Sequence, residues 1–300
     1  MQLAFLVLNY KNHEETVKCI QSIRQLQLDS YAIVVVDNGS GDGSAEKLTQ
    51  QYGDDSRIHI LPLPENLGFS GGNNAGYGYI RSNMNPEFVV VTNNDVLFPQ
   101  ADLYQRLADI YEKTHFHVFG PDIYVRQDRI HQSPITLRVP TVEAMRRELE
   151  MYSYYQQNPE KWVKRRAWQQ RKDALCQRFP LVDRLYNKLR KKAPIDRAKP
   201  YENVCVQGAC IIISRQYLEN EEKMFSPEPF LYCEEMLLFI KCQKKGYTVI
   251  YDPSVQIWHE DSSTMKRINK NALERARFTL KHHVAARKLL LAYMEDENLC

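Results

Sequence analysis

The chain has 300 residues, of which 43% are apolar and 26% are charged, and its net charge is +3. These values are ordinary for a folded soluble protein with one large domain or two modest ones. No apolar segment approaches the roughly 20 residues that a membrane-spanning helix needs, and the N-terminus has no basic leader or cleavage site, so the sequence argues against a membrane-embedded or secreted protein.

Apolar runs alternate with helical patterns through the first hundred residues. Buried strands are predicted at residues 3–8, 32–36, 58–61 and 88–91. Helices are predicted between them, at residues 14–28, after Ser44, and after a glycine-rich loop at residues 66–74. This alternation implies right-handed crossovers and a parallel sheet, so the polar residues that follow the four strands share one edge. Ligands of open α/β sheets bind at that edge.

The second half of the chain is less regular. Short strands are predicted at residues 117–119, 122–125, 203–206, 210–213, 248–251 and 255–258, and helices at residues 102–113, 234–245 and 272–293. Residues 141–192 have a helical pattern that is interrupted at Pro159 and Pro180. The predicted organisation is an α/β domain in two halves with an insert between them and a helix after them: residues 1–130, 131–200 (the insert), 201–262 and 263–300.

The insert carries most of the positive charge. Residues 160–200 contain 14 Lys and Arg against 4 Asp and Glu, whereas the rest of the chain contains 26 against 33. Aromatic and leucine residues lie between the cations: Trp162, Trp168, Leu175, Phe179, Leu185, Tyr186 and Leu189. Two interpretations stay open, an interfacial helix on anionic lipid and a helical arm that packs within the protein or in a homodimer. We expect no nucleic acid partner, because no nucleic-acid-binding motif accompanies the charge.

The seven cysteines are odd in number, are scattered along the chain and form no CxxC pair. Several lie within apolar runs, which favours reduced, buried thiols over disulfides or a zinc site. We therefore expect a cytoplasmic protein.

Five motifs follow one another along the predicted edge of the sheet. They are Leu8-Asn9-Tyr10, Val36-Asp37-Asn38-Gly39-Ser40 with Asp42-Gly43-Ser44, Glu65-Asn66-Leu67-Gly68-Phe69-Ser70-Gly71-Gly72-Asn73, Asn93-Asn94-Asp95, and Phe230-Leu231-Tyr232-Cys233-Glu234-Glu235 with a histidine near position 259. This series resembles the family-two glycosyltransferases with the GT-A fold, especially their bacterial rhamnosyltransferase-like branch, over roughly residues 1–130 and 200–262. The resemblance implies a Rossmann-like α/β fold in which a mostly parallel sheet is flanked by helices, here with a basic helical insert and a C-terminal helix.

The resemblance also implies an activity. A metal-dependent, inverting enzyme would move a sugar from a nucleotide diphosphate, dTDP-rhamnose or a UDP-hexose, to a hydroxyl of a glycan or of a polyprenyl-diphosphate-linked acceptor in surface polysaccharide synthesis. It would work in the cytoplasm, or as a peripheral protein on the inner face of the plasma membrane. One alternative is a nucleotidyltransferase, although the expected glycine-rich basic loop after the first strand is missing. The other is a catalytically silent sugar-nucleotide-binding or scaffolding subunit of a polysaccharide assembly complex.

Residues at the ends of three strands are the candidates for nucleotide contacts. Asp37 can accept hydrogen bonds from a base or a ribose, and the resemblance assigns it to the base; the alternative is a local Asx-turn. Asn9 and Tyr10 would line the same pocket, with Asn38 and Asn94 beside them.

The glycine-rich loop is the candidate for phosphate contacts. Gly68 and Gly72 permit close backbone approach, Asn73 offers a side-chain amide, and glycine loops that open a helix bind phosphates through free N–H groups. The alternative is that the glycines are needed only for backbone conformations with positive φ.

Asp95 and His259 are the candidate metal ligands. The resemblance implies that Asp95 binds a divalent cation, although the usual Asp-x-Asp is here Asn93-Asn94-Asp95, with one carboxylate. His259 ends a strand that returns to the same edge and is the second candidate. With diphosphate oxygens and water the pair would hold Mg²⁺ or Mn²⁺, and an imidazole ligand favours Mn²⁺.

Glu234 and Glu235 are the candidate catalytic residues. Sugar transfer with inversion needs a carboxylate that takes the proton of the acceptor hydroxyl. The resembled pattern uses the second acid, so we expect Glu235 to be the base and Glu234 to support it; the alternative is that both only stabilise a helix N-terminus. Gly208 and Ala209 would let the sugar or the acceptor approach the backbone.

Overall fold

The structure is a computed structural model that describes residues 1–178, 195–260 and 271–296. Residues 173–178 are described by their backbone only. The expectations that concern Pro180, the aromatic and leucine residues from Leu175 to Leu189, and Cys300 therefore lie outside the described residues or side chains.

The described residues form ten strands and nine helices. The strands are β1 Leu3–Asn9, β2 Tyr31–Asp37, β3 Ile58–Pro62, β4 Phe88–Asn93, β5 Val96–Leu97, β6 Val118–Val125, β7 Ile130–His131, β8 Tyr201–Glu202, β9 Cys210–Ser214 and β10 Val249–His259. The helices are α1 His13–Ile23, α2 Ser44–Tyr52, α3 Gly68–Asn83, α4 Leu103–Thr114, α5 Val142–Gln157, α6 Pro159–Arg178, α7 Arg215–Asn220, α8 Glu234–Lys244 and α9 Ala272–Glu295.

The strands form one twisted sheet with the order β3-β2-β1-β4-β9-β6-β10-β5, and β7 and β8 pair at its side with β6 and β10. The three longest pairings, β1 with β2, β1 with β4 and β6 with β10, are parallel. Strand β9 is antiparallel to both of its neighbours, β4 and β6. The predicted α/β class with a mostly parallel sheet is confirmed.

Helices cover both faces of the sheet. On one face α1, α2 and α4 bury apolar side chains such as Ile20 and Leu48 against the strands. On the other face α3, α7 and α8 contribute Tyr77, Tyr217 and Phe239. Because the central strands are covered on both sides, they are continuously apolar, as the sequence predicted.

A third layer lies outside this sandwich and contains the two parts that the motifs do not cover. Helix α5 packs on α8 and α9 through Met145, Leu237 and Leu290. Helix α6 packs on α9 through Trp162 and Leu280. Within the described part of the chain, none of these helices has the length and apolarity that crossing a bilayer requires.

Four local expectations are wrong. Residues 118–125 form the single strand β6, and residues 249–259 form the single strand β10, which absorbs an irregularity in register between Asp252 and Gln256. Residues 203–206 form no extended strand; only an isolated bridge at Cys205 remains. The glycine-rich segment is not a loop, because α3 begins at Gly68 and runs through it.

Helix α3 tolerates its glycines because they let it approach the sheet closely. A Cβ added at Gly76 would lie 2.1 Å from Cδ1 of Leu6 on β1 and 2.7 Å from Cγ2 of Val36 on β2. A Cβ added at Gly72 would lie 2.6 Å from Cδ1 of Leu8. Tertiary packing therefore outweighs the low helix propensity of glycine here.

We expect Gly76→Ala and Gly78→Ala to change stability in opposite directions. The two glycines lie two residues apart on α3, but a Cβ at Gly78 meets no atom within 4 Å. Gly78→Ala should raise the free energy of unfolding by about 1 kcal/mol through helix propensity. Gly76→Ala should lower it by about 1–3 kcal/mol through overpacking. Urea unfolding of the two variants measures both values, and a stabilised Gly76→Ala would contradict the packing described here.

Candidate functional site

A network of buried polar side chains joins the ends of β1, β2 and β4. Asn9 Nδ2 donates to Oδ1 of Asp37 (2.6 Å), and the Asp37 carboxylate also accepts from the backbone N–H and the hydroxyl of Ser40. Asn94 Nδ2 donates to the hydroxyl of Thr16 (3.0 Å) and approaches Oδ1 of Asn9 (3.3 Å). Asp37 thus makes the local contacts of an Asx-turn, which is the alternative to a contact with the base. Nucleotide contacts by Asn9, Asp37 or Asn94 stay predictions.

Asn38 and Tyr10 lie at the same edge with different surroundings. Asn38 is buried, its Oδ1 accepts from the N–H of Leu67 (3.0 Å), and its Nδ2 donates to the carbonyl of Gly68 (2.9 Å). Tyr10 is half-buried, and the ammonium of Lys11 is 5.3 Å from its ring centroid. Asn38 therefore holds the turn before α3, whereas Tyr10 still presents ring surface to a ligand.

The first turn of α3 offers fewer free donors than a phosphate-binding loop needs. The N–H of Gly68 donates to the side chain of Asn66 (2.8 Å), and the N–H of Phe69 donates to the carbonyl of Phe230 (2.7 Å). Gly68 has φ of 76° and lies against Phe230, so the conformational explanation applies to it. Asn73 donates to the carbonyl of Phe69. Phosphate contacts at Gly72 and Asn73 stay predictions.

Asp95 and His259 lie together. Oδ1 of Asp95 is 3.3 Å from Nε2 of His259, and both side chains are largely buried. They meet because β10 runs antiparallel to β5, which places His259 opposite Val96. A carboxylate oxygen and an imidazole nitrogen this close together would suit one shared Mg²⁺ or Mn²⁺, and the cation itself stays a prediction. In the described part of the chain no group of three His, Cys, Asp or Glu side chains could hold a metal ion.

Gln132 orients the His259 ring. Its Oε1 is 2.8 Å from Nδ1 of His259. An amide oxygen accepts hydrogen bonds, so a neutral His259 that donates from Nδ1 to Gln132 would turn the lone pair of Nε2 to Asp95, as a metal-ligating histidine requires. Gln132 was not among the predicted site residues, because a glutamine after a two-residue strand forms no recognisable pattern.

Arg126 forms an ion pair with Glu260, next to the strand end that carries His259. Its guanidinium lies 4.4 Å from the ring centroid of Trp258 and its Nε donates to Oε1 of Glu260 (3.1 Å). The N–H of Glu260 donates to the carbonyl of Asp95 (2.9 Å). The sequence motifs did not single out Arg126.

Glu235 is connected to the same edge through the backbone of the segment before β9. Its Oε1 accepts from the N–H of Gly208 (3.2 Å), and a Cβ at Gly208 would lie 2.7 Å from that oxygen. The carbonyl of Ala209 accepts from the N–H of Asn93 (2.9 Å), two residues before Asp95. The structure therefore links Glu235 to the β4 end that carries Asp95 by two consecutive hydrogen bonds.

An unusual turn directs the two glutamates. Tyr232 and Cys233, directly before α8, have φ of 73° and 63°. Left-handed conformations are unfavourable for residues with a Cβ, and consecutive ones persist only where surrounding contacts hold them. Glu234 is buried, and its Oε2 has no hydrogen-bond partner among the described residues.

Helix α9 supplies the contacts that hold this turn. The ring of His283 stacks on Tyr232 with centroids 3.7 Å apart, and the ring of His282 stacks on Phe230 at 4.6 Å. His283 Nδ1 lies 2.9 Å from a guanidinium nitrogen of Arg287. Burial, together with the charge of Arg287, lowers the pKa of His283 to about 3. A neutral imidazole therefore packs against the turn that precedes Glu234.

A cavity of about 570 Å³ lies beside Glu235, between α5, α8, α9 and the segment before α5. Glu235 and Cys233 line it together with apolar side chains such as Met145, and Arg138 lies on its wall. The cavity is large enough to take part of a carbohydrate or of another bulky molecule with a hydroxyl.

Both glutamates have raised pKa values. Burial raises the pKa of Glu235, although its hydrogen bond from Gly208 opposes the shift. Burial first and the negative charge of Glu235 second raise the pKa of Glu234 well above its ordinary value. A carboxylate of increased basicity beside a cavity is suited to accepting a proton.

Comparison with known proteins identifies relatives of the chain. A family model described as "Glycosyl transferase family 2" matches residues 5–221. The "Low-salt glycan biosynthesis hexosyltransferase Agl10" of Haloferax volcanii is 33% identical over 134 residues, which are 44% of this chain and 40% of that protein. The chain thus matches less than half the length of this curated relative.

Two crystal structures resemble the whole described fold. S. aureus TarS 1-349 in complex with UDP has a TM-score of 0.53 and 13% identity, over 97% of this chain and 70% of that chain. S. aureus TarS 1-349 without this ligand has a TM-score of 0.52 and 13% identity, over 98% and 70%. At this identity the likeness concerns the fold, and with the family match it confirms the predicted GT-A architecture.

We expect Glu234→Gln to change the pH dependence of stability. Because the folded-state pKa of Glu234 is raised, the folded protein binds this proton more tightly than the unfolded chain does. The free energy of unfolding of the wild type should therefore fall as pH rises above the ordinary glutamate pKa, by at most about 1.4 kcal/mol per pH unit for one proton. In denaturant unfolding from pH 4 to 8, the free energy of unfolding of Glu234→Gln should increase relative to that of the wild type as the pH rises. Glu14→Gln, at an exposed position, is the control. If the difference in free energy of unfolding between variant and wild type is independent of pH for both variants, the assignment is wrong.

We also expect His283→Ala to loosen the turn at Tyr232 and Cys233. Loss of one stacked ring should raise the alkylation rate of Cys233 by about 2- to 12-fold, because an aromatic pair contributes about 0.5–1.5 kcal/mol. Peptide-resolved mass spectrometry after iodoacetamide treatment measures this rate, and His283→Phe should restore the wild-type value. His117→Ala is the control. His117 directly precedes β6, and its ring stacks on Tyr247 with centroids 4.4 Å apart. An unchanged rate in His283→Ala would show that the helix does not hold the turn.

Proposed function

The chain belongs to glycosyl transferase family 2, and on this basis we propose that it transfers a sugar, with inversion, from a nucleotide-diphosphate donor to an acceptor hydroxyl in glycan synthesis. The single observation that carries the proposal is the convergence of Asp95, His259 and Glu235 at one edge of the sheet. Asp95 and His259 are 3.3 Å apart, and Glu235 is joined to the same strand end through Gly208 and Ala209.

Glu235 would accept the proton of the acceptor hydroxyl. The hydroxyl oxygen then attacks the anomeric carbon from the face opposite the nucleotide, the bond from that carbon to the phosphate oxygen breaks, and the nucleoside diphosphate leaves with the electron pair. The hydrogen bond from Gly208 fixes one oxygen of Glu235, which leaves the other for the hydroxyl. The raised pKa of Glu235 increases its basicity, and that of Glu234 reduces repulsion between the adjacent acids.

Asp95 and His259 would hold a divalent cation, Mn²⁺ or Mg²⁺. A bound cation supplies charge neutralisation for the diphosphate leaving group. A hydrogen bond from Nδ1 of His259 to Gln132 would keep the lone pair of Nε2 directed to that position.

The relatives guide the choice of substrates. The H. volcanii relative is a hexosyltransferase of glycan biosynthesis, and S. aureus TarS 1-349 has been crystallised in complex with UDP. Both relatives support a UDP-hexose as the first donor to test, with dTDP-rhamnose as the second. The cavity beside Glu235 supports an acceptor with a bulky glycan or lipid-linked portion. We propose that the protein acts on such acceptors at the cytoplasmic face of the plasma membrane.

We expect Glu235→Gln to lower kcat by at least about 100-fold without a comparable change in KM for the donor, because only the proton acceptor is lost. Release of nucleoside diphosphate is measured with a panel of sugar nucleotides and Mn²⁺. Glu112→Gln is the control, because Glu112 is exposed on α4, which covers the face of the sheet opposite the cavity. Glu234→Gln decides which glutamate is the base.

The opposite result has a definite meaning. If no donor supports transfer or hydrolysis and Glu235→Gln behaves as the wild type, the chain is a silent binding or scaffolding subunit. The single carboxylate of Asn93-Asn94-Asp95 is the feature that favours this second candidate.

A further inference from the structure

Helix α6 has one face that is packed and one that is not. Trp162 on the inner face is 9% exposed and packs against Ala276 and Leu280 of α9. Trp168 on the outer face is 63% exposed, the largest exposure among the large apolar side chains of the described residues. The packing of α6 on α9 therefore leaves this tryptophan in the solvent.

Five cations surround Trp168. They are Lys161, Lys164, Arg165, Arg171 and Lys172, which lie at positions −7, −4, −3, +3 and +4 from the tryptophan. At 100° per residue all five project within about 60° of the Trp168 direction. We call Trp168 and these five cations the α6 outer face.

Four of these five cations, all except Lys172, form no ion pair with a carboxylate among the described residues. Lys161 and Arg165 donate to the hydroxyls of Tyr154 (2.6 Å) and Tyr155 (3.0 Å), which are uncharged. Lys164 and Arg171 take part in none of the ion pairs found among the described residues. Tyr154, which is 47% exposed, extends the face with a second ring.

We propose that the α6 outer face docks the protein on an anionic phospholipid surface. Tryptophan and tyrosine rings favour the headgroup region, because one end of each ring is apolar and the other can hydrogen-bond. Lysine and arginine around the rings add attraction to anionic headgroups, about fivefold in partitioning for each cation near the surface. The face has no continuous apolar stripe, so the helix lies on the headgroups and does not bury a side in the acyl chains.

The position of the face fits a membrane-bound acceptor. The inner side of α6 packs on α9, and α9 stacks on Phe230 and Tyr232, the residues that precede the glutamates. A bilayer against α6 would therefore lie on the same side of the sheet as Glu235 and its cavity. The docking itself does not depend on the proposed transferase activity, and its test uses no activity measurement.

The test is co-sedimentation of the full chain with vesicles of phosphatidylcholine alone and of phosphatidylcholine with 30% phosphatidylglycerol. We expect binding to the anionic vesicles at 50 mM salt, loss of it at 500 mM salt, and none to the neutral vesicles. The double variant Lys164→Ala with Arg171→Ala should weaken binding about 25-fold. Trp168→Ala should weaken it several-fold and should abolish the blue shift of tryptophan fluorescence that accompanies docking.

The matched control is Lys47→Ala with Lys113→Ala. These two lysines are also exposed, but they lie on α2 and α4, which cover the opposite face of the sheet. The control should bind as the wild type does, and thermal unfolding should confirm that all variants are folded. Equal loss in the control variant, equal binding to neutral vesicles, or unchanged binding of the Lys164 and Arg171 variant would overturn the proposal. Tighter binding to a DNA or RNA oligonucleotide than to the vesicles, or a Trp168-dependent dimer in sedimentation velocity, would overturn it as well.

Discussion

The candidate site depends on the antiparallel strand β9, which lies between β4 and β6. The carbonyl of Ala209, directly before this strand, accepts from Asn93 at the end of β4, and the N–H of Gly208 donates to Glu235. One short backbone segment thereby joins the end of β4 to the helix that carries the glutamates. The side chain of Glu235 occupies the space that a Cβ at position 208 would need, so a glycine there is a condition for the whole arrangement.

The sequence was sufficient to predict much of this arrangement, for physical reasons. Strands covered on both faces are continuously apolar, so β1, β2 and β4 and the polar residues after them were recognisable. The return of His259 to the edge of Asp95 followed from the motif series and agrees with the pairing of β10 and β5.

Other features could not have been predicted from local patterns. The glycine-rich segment looked like a loop because glycine disfavours helix, yet close contact of Gly72 and Gly76 with β1 makes helix the better solution. Gln132 acts through one hydrogen bond to a residue 127 positions later, which leaves no periodic trace. The stacking of His283 on Tyr232 likewise joins the terminal helix to a loop 51 positions earlier.

That last contact has a consequence for synthesis of the protein on the ribosome. The strands of the sheet, Asp95 and His259 all lie before residue 260 in the chain. The rings that hold the turn before Glu234 lie after residue 280. A nascent chain can therefore form most of its sheet while the turn still lacks the rings that stack on it. The stacking contacts on this turn can form only after α9 has been translated, so the turn before Glu234 depends on a helix that follows it in the chain.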